Sequence, residues 1–322
     1  MNISDLLSVT GRLRAEPCKV AVMGDLGLDV YYRGKFRPNN ERSPNTEPFR
    51  VVQAEPASFG IDGMAAAVFK MAEALGAEAT IIPFGEASIK MRVLAPPEIG
   101  KPEEVVFRVD TDAQACTHQT DRVLAARSLG SVLPGYGALL IADYGKGACN
   151  KGTLPAALSC AEAAGVPVLV DPSRDACKAY RGWDRYLGAQ VIKCNAAEWE
   201  HVGDIRSQAW ACDIFPWIVV TYGAGGMRLW DRDAWRWMDI RACHFERRSE
   251  GICDICGCGD MVLAVLGVCM AAGVKLEHAC QLASAAAMLK MHKRGAAPVT
   301  LDEIENYLET LTCAAPATSS AP

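Results

Sequence analysis

Short apolar runs recur along the chain, and each is followed by a segment whose apolar residues have helical spacing. The runs are "KVAVM" at 19–23, "ALLIA" at 138–142, "VPVLV" at 166–170, "QVIKC" at 190–194 and "WIVVT" at 217–221. Buried runs of this kind that alternate with helices are typical of a parallel sheet covered on both faces. The pattern therefore predicts an α/β fold with a mostly parallel central sheet between two layers of helices.

Three segments have clear helical patterns. Between residues 63 and 76 the apolar positions recur at helical spacing, which predicts a helix that covers the sheet. The run after Asp260 is apolar on all sides, as expected for a helix buried in a large α/β core. Thr300 and Glu303 form a capping-box pattern, which predicts the start of a final amphipathic helix. We expect this helix to end before a disordered tail at 313–322.

Two stretches, at about 31–58 and 89–112, depart from this alternation. The first is rich in Arg, Pro and Asn, and both have an extended, alternating character that predicts strands. We expect them to form a small β-lid that projects from the main sheet. The lid and the sheet would belong to a single domain spanning residues 1–312.

The composition limits the possible partners. The chain of 322 residues is 50% hydrophobic and has a formal net charge of −5, so it has no overall basic field for nucleic acid or anionic lipid. Any phosphate site must therefore be local, and a small metabolite is the favoured ligand. No N-terminal stretch has the pattern of a signal peptide, and "MVLAVLGVCMAAGV" is too short to span a bilayer comfortably. We therefore expect a cytoplasmic protein with no membrane partner.

Residues 251–260, "GICDICGCGD", could serve either of two chemistries. For a metal site, Cys253 and Cys256 have the C-x-x-C spacing, and Cys258 could add a third thiolate. A fourth ligand would have to come from Cys243 or the histidine after it, because the chain has no second C-x-x-C. Most of the 14 cysteines are scattered through apolar segments, which is typical of reduced core residues.

The glycines of the same segment favour phosphate instead. Gly257 and Gly259 permit a tight turn onto a helix start, where free N–H groups and the positive end of the helix dipole attract an anion. Asp260 follows them at the start of the buried helix. An aspartate at this position could act as a general base, or it could only interact with the helix dipole.

This segment resembles the signature D-T-x-G-A-G-D of the ribokinase family, also called the pfkB-type carbohydrate kinases. Residues 254–260 keep its aspartates and glycines, while Ile and Cys replace Thr and Ala. The family's N-x-x-E and T-x-G-x-x-G elements are matched, in the right order and spacing, by Asn195, Glu198, Thr221, Gly223 and Gly226. The resemblance covers about 19–311. It implies a ribokinase-like α/β/α sandwich, ATP and Mg²⁺ as cofactors, a small sugar or sugar phosphate as acceptor, and a homodimer formed through the lid.

Within this family, strings such as "IADYGKG" and "VPVLVDPSRD" resemble the kinase domain of the bifunctional ADP-heptose synthesis enzyme. That domain phosphorylates D-glycero-D-manno-heptose 7-phosphate at its anomeric oxygen, and the resemblance implies the same reaction here. The nucleotidyltransferase domain of that enzyme would need more chain than follows Pro298, so we expect a stand-alone kinase.

The likeness is incomplete at the sugar pocket, where the heptose kinases have G-G-A-A-N. This chain has Gly63, then Met64 in place of the second glycine, and Ala67 in place of the asparagine. Met64 would fill space near the sugar, and Ala67 would withdraw an amide. Two alternatives therefore stay open: a pfkB-type kinase for another sugar, sugar phosphate or nucleoside, and a catalytically weak regulator that binds a sugar or a nucleotide.

The resemblance also implies roles for residues around the phosphates. Asp260 would be the general base, and the backbone N–H groups of residues 257–259 would hold the γ-phosphate. Mg²⁺ would ride on the ATP phosphates and be oriented by Glu198 and Asp254. The other residues implied to line the nucleotide site are Lys193, Asn195, Thr221, Gly223, Gly226 and Ser284.

On the acceptor side, Asp29 matches a family aspartate that bonds sugar hydroxyls, and Asp25 would support it. An aspartate just beyond a strand is also a common cap, so this structural role stays open. Gly63, Met64 and Ala67 fall on the same pocket. The residues that could bind a phosphate already present on the acceptor are Lys90, Arg92, Arg108 and Lys146. Each of these could instead be an exposed charge on the lid.

Overall fold

The computed structural model describes residues 2–37, 51–96, 104–113, 120–179, 182–203, 205–243 and 254–313. The strands within these residues are β1 (Lys19–Arg37), β2 (Val51–Met64), β3 (Glu78–Ala95), β4 (Glu104–Thr111), β5 (Ala138–Asp143), β6 (Val168–Pro172), β7 (Val191–Asn195), β8 (Trp217–Thr221), β9 (Met227–Asp231) and β10 (Arg236–Ile240). The helices are α1 (Ile3–Ala15), α2 (Ala65–Ala74), α3 (Thr120–Val132), α4 (Thr153–Ala164), α5 (Arg174–Ala179), α6 (Ala196–His201), α7 (Ile205–Ile214), α8 (Cys258–Ala271), α9 (Leu276–Lys290) and α10 (Leu301–Cys313). Short 3₁₀ helices lie at Gly182–Tyr186 and Gly223–Gly225.

The described strands form one mixed sheet in the order β10-β9-β8-β7-β6-β5-β1-β3-β4, with β2 paired to β1. The strands from β8 to β3 in this order run parallel to their neighbours. The outer pairs are antiparallel. All five apolar runs of the sequence lie in the parallel part, so the predicted parallel sheet is confirmed.

Helices cover both faces of the sheet. Alternate residues of its central strands point to opposite faces, and those of both faces are apolar and pack against helices. All six residues of β5 are buried. Leu140 packs in one hydrophobic cluster with residues of α1, α2, α8, α9 and α10, and Leu139 packs in the other with residues of α3, α4 and α7. The predicted three-layer arrangement is therefore confirmed.

The lid is a continuation of the central sheet rather than a separate element. Strands β1 and β3 are long enough to belong to both parts, and β2 and β4 pair with their outer halves. The pairing of β1 with β2 starts at Leu26, so the lid begins earlier in the chain than the predicted boundary near residue 31. The parts of the predicted lid at 38–50 and 97–103 lie outside the described residues.

A glycine lies where β1 leaves the central sheet. β1 pairs with β5 only through residues 20–24. Gly24 has φ 149°, and a Cβ at this position would lie 2.1 Å from the carbonyl oxygen of Ala142. Only glycine can therefore occupy this point, where the pairing of β1 with β5 ends and its register with β3 shifts.

The three helices expected from the sequence are present. α2 lies within the predicted segment, and α8 is buried along most of its length. The Glu303 N–H donates to the Thr300 hydroxyl at 3.3 Å and the Thr300 N–H donates to the Glu303 carboxylate at 2.8 Å, which confirms the capping box before α10. α10 extends to Cys313, one residue into the predicted tail at 313–322, and the rest of that tail lies outside the described residues. No helix of the described chain is both long and apolar enough to cross a bilayer.

Candidate active site

Asp260 lies in the first turn of α8 and is only 6% exposed. Tyr144 follows the carboxyl end of β5, and its hydroxyl donates a hydrogen bond of 2.7 Å to Asp260 Oδ1. Burial raises the pKa of Asp260 to about 6, although the hydrogen bond from Tyr144 lowers it. The carboxylate is therefore ionised at neutral pH and is a stronger base than an exposed aspartate, which suits a general base.

The loop that carries Tyr144 is held in place by Asp25. The Asp25 carboxylate accepts the backbone N–H groups of Tyr144, Lys146 and Ala148 at 2.8, 3.0 and 2.8 Å. Three such bonds fix the loop firmly. Asp25 therefore stabilises the loop whose Tyr144 contacts Asp260. The sequence had instead predicted that Asp25 supports Asp29.

The turn before Asp260 has the geometry expected of an anion site. Gly257 is the N-cap of α8 in the left-handed conformation, with φ 79°. The Cys258 N–H, predicted to hold the γ-phosphate, instead donates to the carbonyl oxygen of Ile255 at 3.3 Å. The N–H groups of Gly259 and Asp260 lie in the first turn of α8, where they have no partner within the helix. A Cβ at Gly259 would lie 2.9 Å from Lys193 Nζ, so the absence of a side chain there leaves room for this ammonium group.

Lys193 and Asp171 form a buried ion pair beside this turn. Their charged atoms are 2.6 Å apart, and the side chains are 4% and 12% exposed. Burial acts to lower the pKa of Lys193, but the Asp171 carboxylate raises it above its usual value, so the ammonium keeps its charge. The pair places a fixed cation against the helix start, where a phosphate group would bind.

The residues of the N-x-x-E element form a helix cap. The side chain of Asn195 accepts the N–H of Glu198 at 3.0 Å, and the Glu198 carboxylate accepts the N–H of Asn195 at 2.8 Å. Asn195 ends β7, and Thr221 lies beside it at the end of β8. Lys193 and Asp171 also lie near the carboxyl ends of their strands, β7 and β6. Ligands of open α/β sheets usually bind at this end of the strands.

The remaining nucleotide-site predictions fall on two features. Gly223 and Gly226 form the turn after β8, in which Gly226 has φ 88° and its carbonyl accepts the N–H of Tyr222 at 2.8 Å. Ser284 is buried in α9, and its hydroxyl accepts the N–H of Cys243 at 3.1 Å. Its contact with an adenine stays a prediction, because this hydrogen bond already gives Ser284 a structural role.

The two candidate Mg²⁺ residues have different surroundings. Burial raises the pKa of Glu198, and the nearby Asp171 carboxylate raises it further. The Asp254 carboxylate accepts the N–H groups of Cys256 and Gly295, each at 2.8 Å, so it joins two loops. Among the described residues, no three His, Cys, Asp or Glu side chains come together as a metal site.

A cleft of about 890 Å³ opens between the lid and the loop at 294–298. Asp29 and Arg92 lie in it as a buried ion pair, with Arg92 Nη1 2.5 Å from Asp29 Oδ1. A Cβ at Gly63 would lie 3.2 Å from Asp29 Oδ2, so this glycine borders the second carboxylate oxygen. The structure thus brings three of the predicted acceptor residues together.

The cleft is rich in positive charge. Its lining includes five cationic side chains against three carboxylates, those of Asp29, Asp62 and Asp254. The cations are Arg33, Lys70, Arg92, Arg108 and Arg294. The sequence predicted only two of them, Arg92 and Arg108, as acceptor residues. The alternation of Asp29, Tyr31 and Arg33 along one face of β1 was the available signal for Arg33, but no local pattern indicates Arg294.

The other predicted acceptor residues lie outside the cleft. Lys90 lies over the ring of Tyr144, 5.7 Å from its centroid, and Lys146 pairs with Asp112 at 2.7 Å. Met64 and Ala67 are buried. Met64 has φ 60°, a conformation that favours glycine, so the replacement of glycine there costs about 1–3 kcal/mol of strain. Its side chain is buried, and its place near the sugar stays a prediction.

The cysteines of the same segment point in different directions. Cys256 lines the cleft, whereas Cys258 Sγ lies 3.7 Å from the carbonyl oxygen of Ala287 in α9. Burial raises the pKa of both thiols, which disfavours the thiolate that a metal ligand needs. Cys253 lies outside the described residues.

The mostly parallel sheet, the helices on both faces and the strand-built lid define a ribokinase-like α/β fold, and solved structures share it. Phosphofructokinase-2 of Escherichia coli, in a structure with potassium, has a TM-score of 0.62 and 14% identity over 92% of this chain and 99% of that one. Ribokinase of Arabidopsis thaliana, complexed with ribose and ATP, has a TM-score of 0.54 and 14% identity over 91% of this chain and 99% of that one.

The chain belongs to the pfkB family of carbohydrate kinases, whose model matches residues 137–303. Two relatives extend the likeness over most of the chain. The bifunctional protein HldE of Aeromonas hydrophila is 30% identical over 92% of this chain and 64% of its own length, and that of Alcanivorax borkumensis is 31% identical over 89% and 62%. The chain therefore spans just under two thirds of the relatives it matches.

Proposed function

We propose that this carbohydrate kinase transfers the γ-phosphate of ATP to a hydroxyl of a phosphorylated sugar, with heptose 7-phosphate as the favoured acceptor. The observation that carries the proposal is the cationic cleft, which shares Asp254 and Cys256 with the turn leading to Asp260. An acceptor in this cleft has its reacting end near a base and a phosphate-binding helix start. The likeness to the bifunctional protein HldE supports the heptose assignment.

The residues around the turn would perform the transfer as follows. Asp260 Oδ2 takes the proton of the attacking hydroxyl, while Tyr144 holds Oδ1. The free N–H groups of the turn and the Lys193 ammonium stabilise the charge on the transferring phosphoryl group. Bound Mg²⁺ would neutralise part of the negative charge of the ATP phosphates. Glu198 would orient it, since its carboxylate lies at the same edge of the sheet.

The charge of the cleft favours an acceptor that already carries a phosphate. Three of the five cations are paired with aspartates: Arg92 with Asp29, Lys70 with Asp62 and Arg108 with Asp110. Arg294 forms no hydrogen bond or ion pair among the described residues. One Arg guanidinium group can donate two parallel hydrogen bonds to the oxygens of a phosphate. Such a cation at the mouth of a sugar site therefore suits a phosphate monoester.

A panel of matched acceptors tests the acceptor class. Heptose 7-phosphate, fructose 6-phosphate and ribose 5-phosphate are each compared with the free sugar, with nucleosides included, and ADP formation is measured. We expect turnover only of phosphorylated sugars. The double variant Arg108→Gln/Arg294→Gln should raise KM for the phosphorylated acceptor about 10- to 100-fold, because charge-assisted hydrogen bonds are lost, while KM for ATP stays unchanged.

Arg228→Gln, in β9 next to the edge strand β10, is the matched control and should leave KM unchanged. Faster turnover of a free sugar or a nucleoside would contradict the proposal of a phosphorylated acceptor. It would support the alternative of a pfkB-type kinase for another sugar or a nucleoside. Binding of sugar or ATP without turnover of any acceptor would instead support the regulator that only binds these ligands.

We also propose a homodimer through the lid. The face of the lid away from the cleft exposes apolar side chains on three strands, and exposed patches of this kind are typical of interfaces. They are Ile61 (49% exposed), Ile89 (40%), Phe107 (57%) and Val109 (37%). A second copy offers the same apolar surface, so a two-fold contact would cover both.

Sedimentation velocity over a range of protein concentrations tests this dimer. The wild type should sediment as a dimer, and Phe107→Glu should sediment as a monomer because a charge would be buried at the contact. Val123→Glu replaces an equally exposed apolar residue of α3 and should stay dimeric. A monomeric wild type, or equal effects of both substitutions, would contradict the lid contact.

A further inference from the structure

Lys290, the last residue of α9, is fully buried, with 0% of its surface exposed. Its ammonium donates to the carbonyl oxygen of Lys293 at 3.2 Å. No carboxylate pairs with it among the described residues, in contrast to the buried Lys193 and Arg92, which each have an aspartate partner. Lys290 is therefore a buried charge that no countercharge in the described chain neutralises.

The side chain of Lys290 lies directly behind the candidate phosphate turn. A Cβ at Gly257, the N-cap of α8, would lie 3.4 Å from Lys290 Cε. Lys193 approaches the same turn at Gly259. Two buried ammonium groups therefore flank the turn at 257–259, which leads to the free N–H groups of Gly259 and Asp260.

This arrangement is costly while the site is empty. A buried ammonium without a countercharge loses its hydration, and a carbonyl dipole replaces only part of it. The negative end of α9 offsets some of the cost, but the positive end of α8 adds to it. An anion at the turn would interact favourably with both the Lys290 ammonium and the positive end of α8. The surroundings of Lys290 therefore favour a bound phosphoryl group over an empty site.

We propose that Lys290 is a positioning residue for phosphoryl transfer: its ammonium, held by the Lys293 carbonyl, supports the turn at 257–259 and supplies fixed positive charge behind the γ-phosphate. This role rests on the proposed function, because it assigns an unassigned residue to the same phosphate site. Lys290 acts through the turn and does not itself touch the substrate.

The substitution Lys290→Met, which keeps the length of the side chain and removes the charge, separates this role from a structural one. The unliganded variant should melt at or above the wild-type temperature, because an unpaired buried charge has been removed. Its kcat should fall about 100-fold. Its affinity for Mg·ATP should fall more than its affinity for Mg·ADP, measured by calorimetry, because the γ-phosphate lies at the turn.

Two further arms sharpen the test. In Lys290→Ala, ammonium chloride should restore part of kcat by entering the vacated space, whereas tetramethylammonium chloride at the same ionic strength should not. Lys275→Met, at the other end of α9 and exposed, should leave kcat and both nucleotide affinities unchanged.

Unchanged kcat and ATP affinity in a stable Lys290→Met would overturn the proposal. So would a melting temperature that falls in both the Met and the Ala variants without selective loss of ATP, since Lys290 would then serve folding alone. If the wild type turned over no acceptor, the proposed function would fail, but the comparison of ATP with ADP affinity would still test Lys290.

Discussion

Asp260→Asn should lower kcat by about 10²- to 10⁴-fold, the usual contribution of a positioned general base. The amide oxygen can still accept the hydrogen bond from Tyr144, so the loop and the turn keep their geometry. The substitution removes the group that takes the proton from the acceptor and changes little else. Steady-state turnover on the best acceptor, with a melting curve to confirm folding, measures the effect.

The matched control is Asp239→Asn, an exposed carboxylate in β10 whose loss should leave kcat unchanged. The pH profile gives a second check, because only the ionised form of Asp260 is a base. Activity of the wild type should rise with pH through about 6 and level off above 7. In Tyr144→Phe the rise should move to higher pH, because a hydrogen bond that lowers the pKa of Asp260 is lost. A kcat for Asp260→Asn near that of the wild type would remove Asp260 from the chemistry.

Lys193→Met should cost about 3–5 kcal/mol of stability and should also abolish most activity. The substitution leaves Asp171 buried without its partner, and breaking one side of a buried pair has a cost of this size. The uncompensated carboxylate would also repel the ATP phosphates at the turn. Urea unfolding measures the loss of stability, and turnover at saturating ATP measures the loss of activity.

A double variant separates the two effects of Lys193. Lys193→Met/Asp171→Leu replaces the pair by apolar residues, so most of the stability should return. Activity should stay low, because the cation at the phosphate turn is still missing. Recovery of activity together with stability would show that the pair serves only folding.

The central sheet could be predicted from the sequence because its strands are buried on both faces. Such strands need unbroken apolar runs, and all five runs lie in parallel strands. The amphipathic helix α1 and the hairpin of β9 and β10 were not predicted. Arg14 of α1 contacts Asp302 and Glu305 of α10, so its docking depends on residues that are distant in the chain.

The candidate site could be predicted only where a short motif carries it. The turn at 257–260 is such a motif, because its glycines and aspartate are adjacent in the chain. Tyr144 and Asp260 are 116 positions apart, and Lys193 and Asp171 are 22 apart, so their contacts depend on the order of strands in the sheet. Local pattern contains no information about such pairs.

Met64 shows a different limit of prediction from sequence. Its place in the motif suggested a side chain near the sugar, but the direction of the side chain depends on backbone angles. Met64 has φ 60° at the start of α2, and its side chain is buried. A position in a motif contains no information about such a backbone angle.

Transfer of label from [γ-³²P]ATP tests the central claim most directly. Wild-type protein is incubated with Mg²⁺, labelled ATP and heptose 7-phosphate, and the products are separated and counted. We predict that label enters a sugar bisphosphate in proportion to the ADP formed, and that Asp260→Asn forms little of it. Label found only in ATP or inorganic phosphate, with heptose 7-phosphate and every other phosphorylated sugar unchanged, would contradict a kinase that acts on phosphorylated sugars.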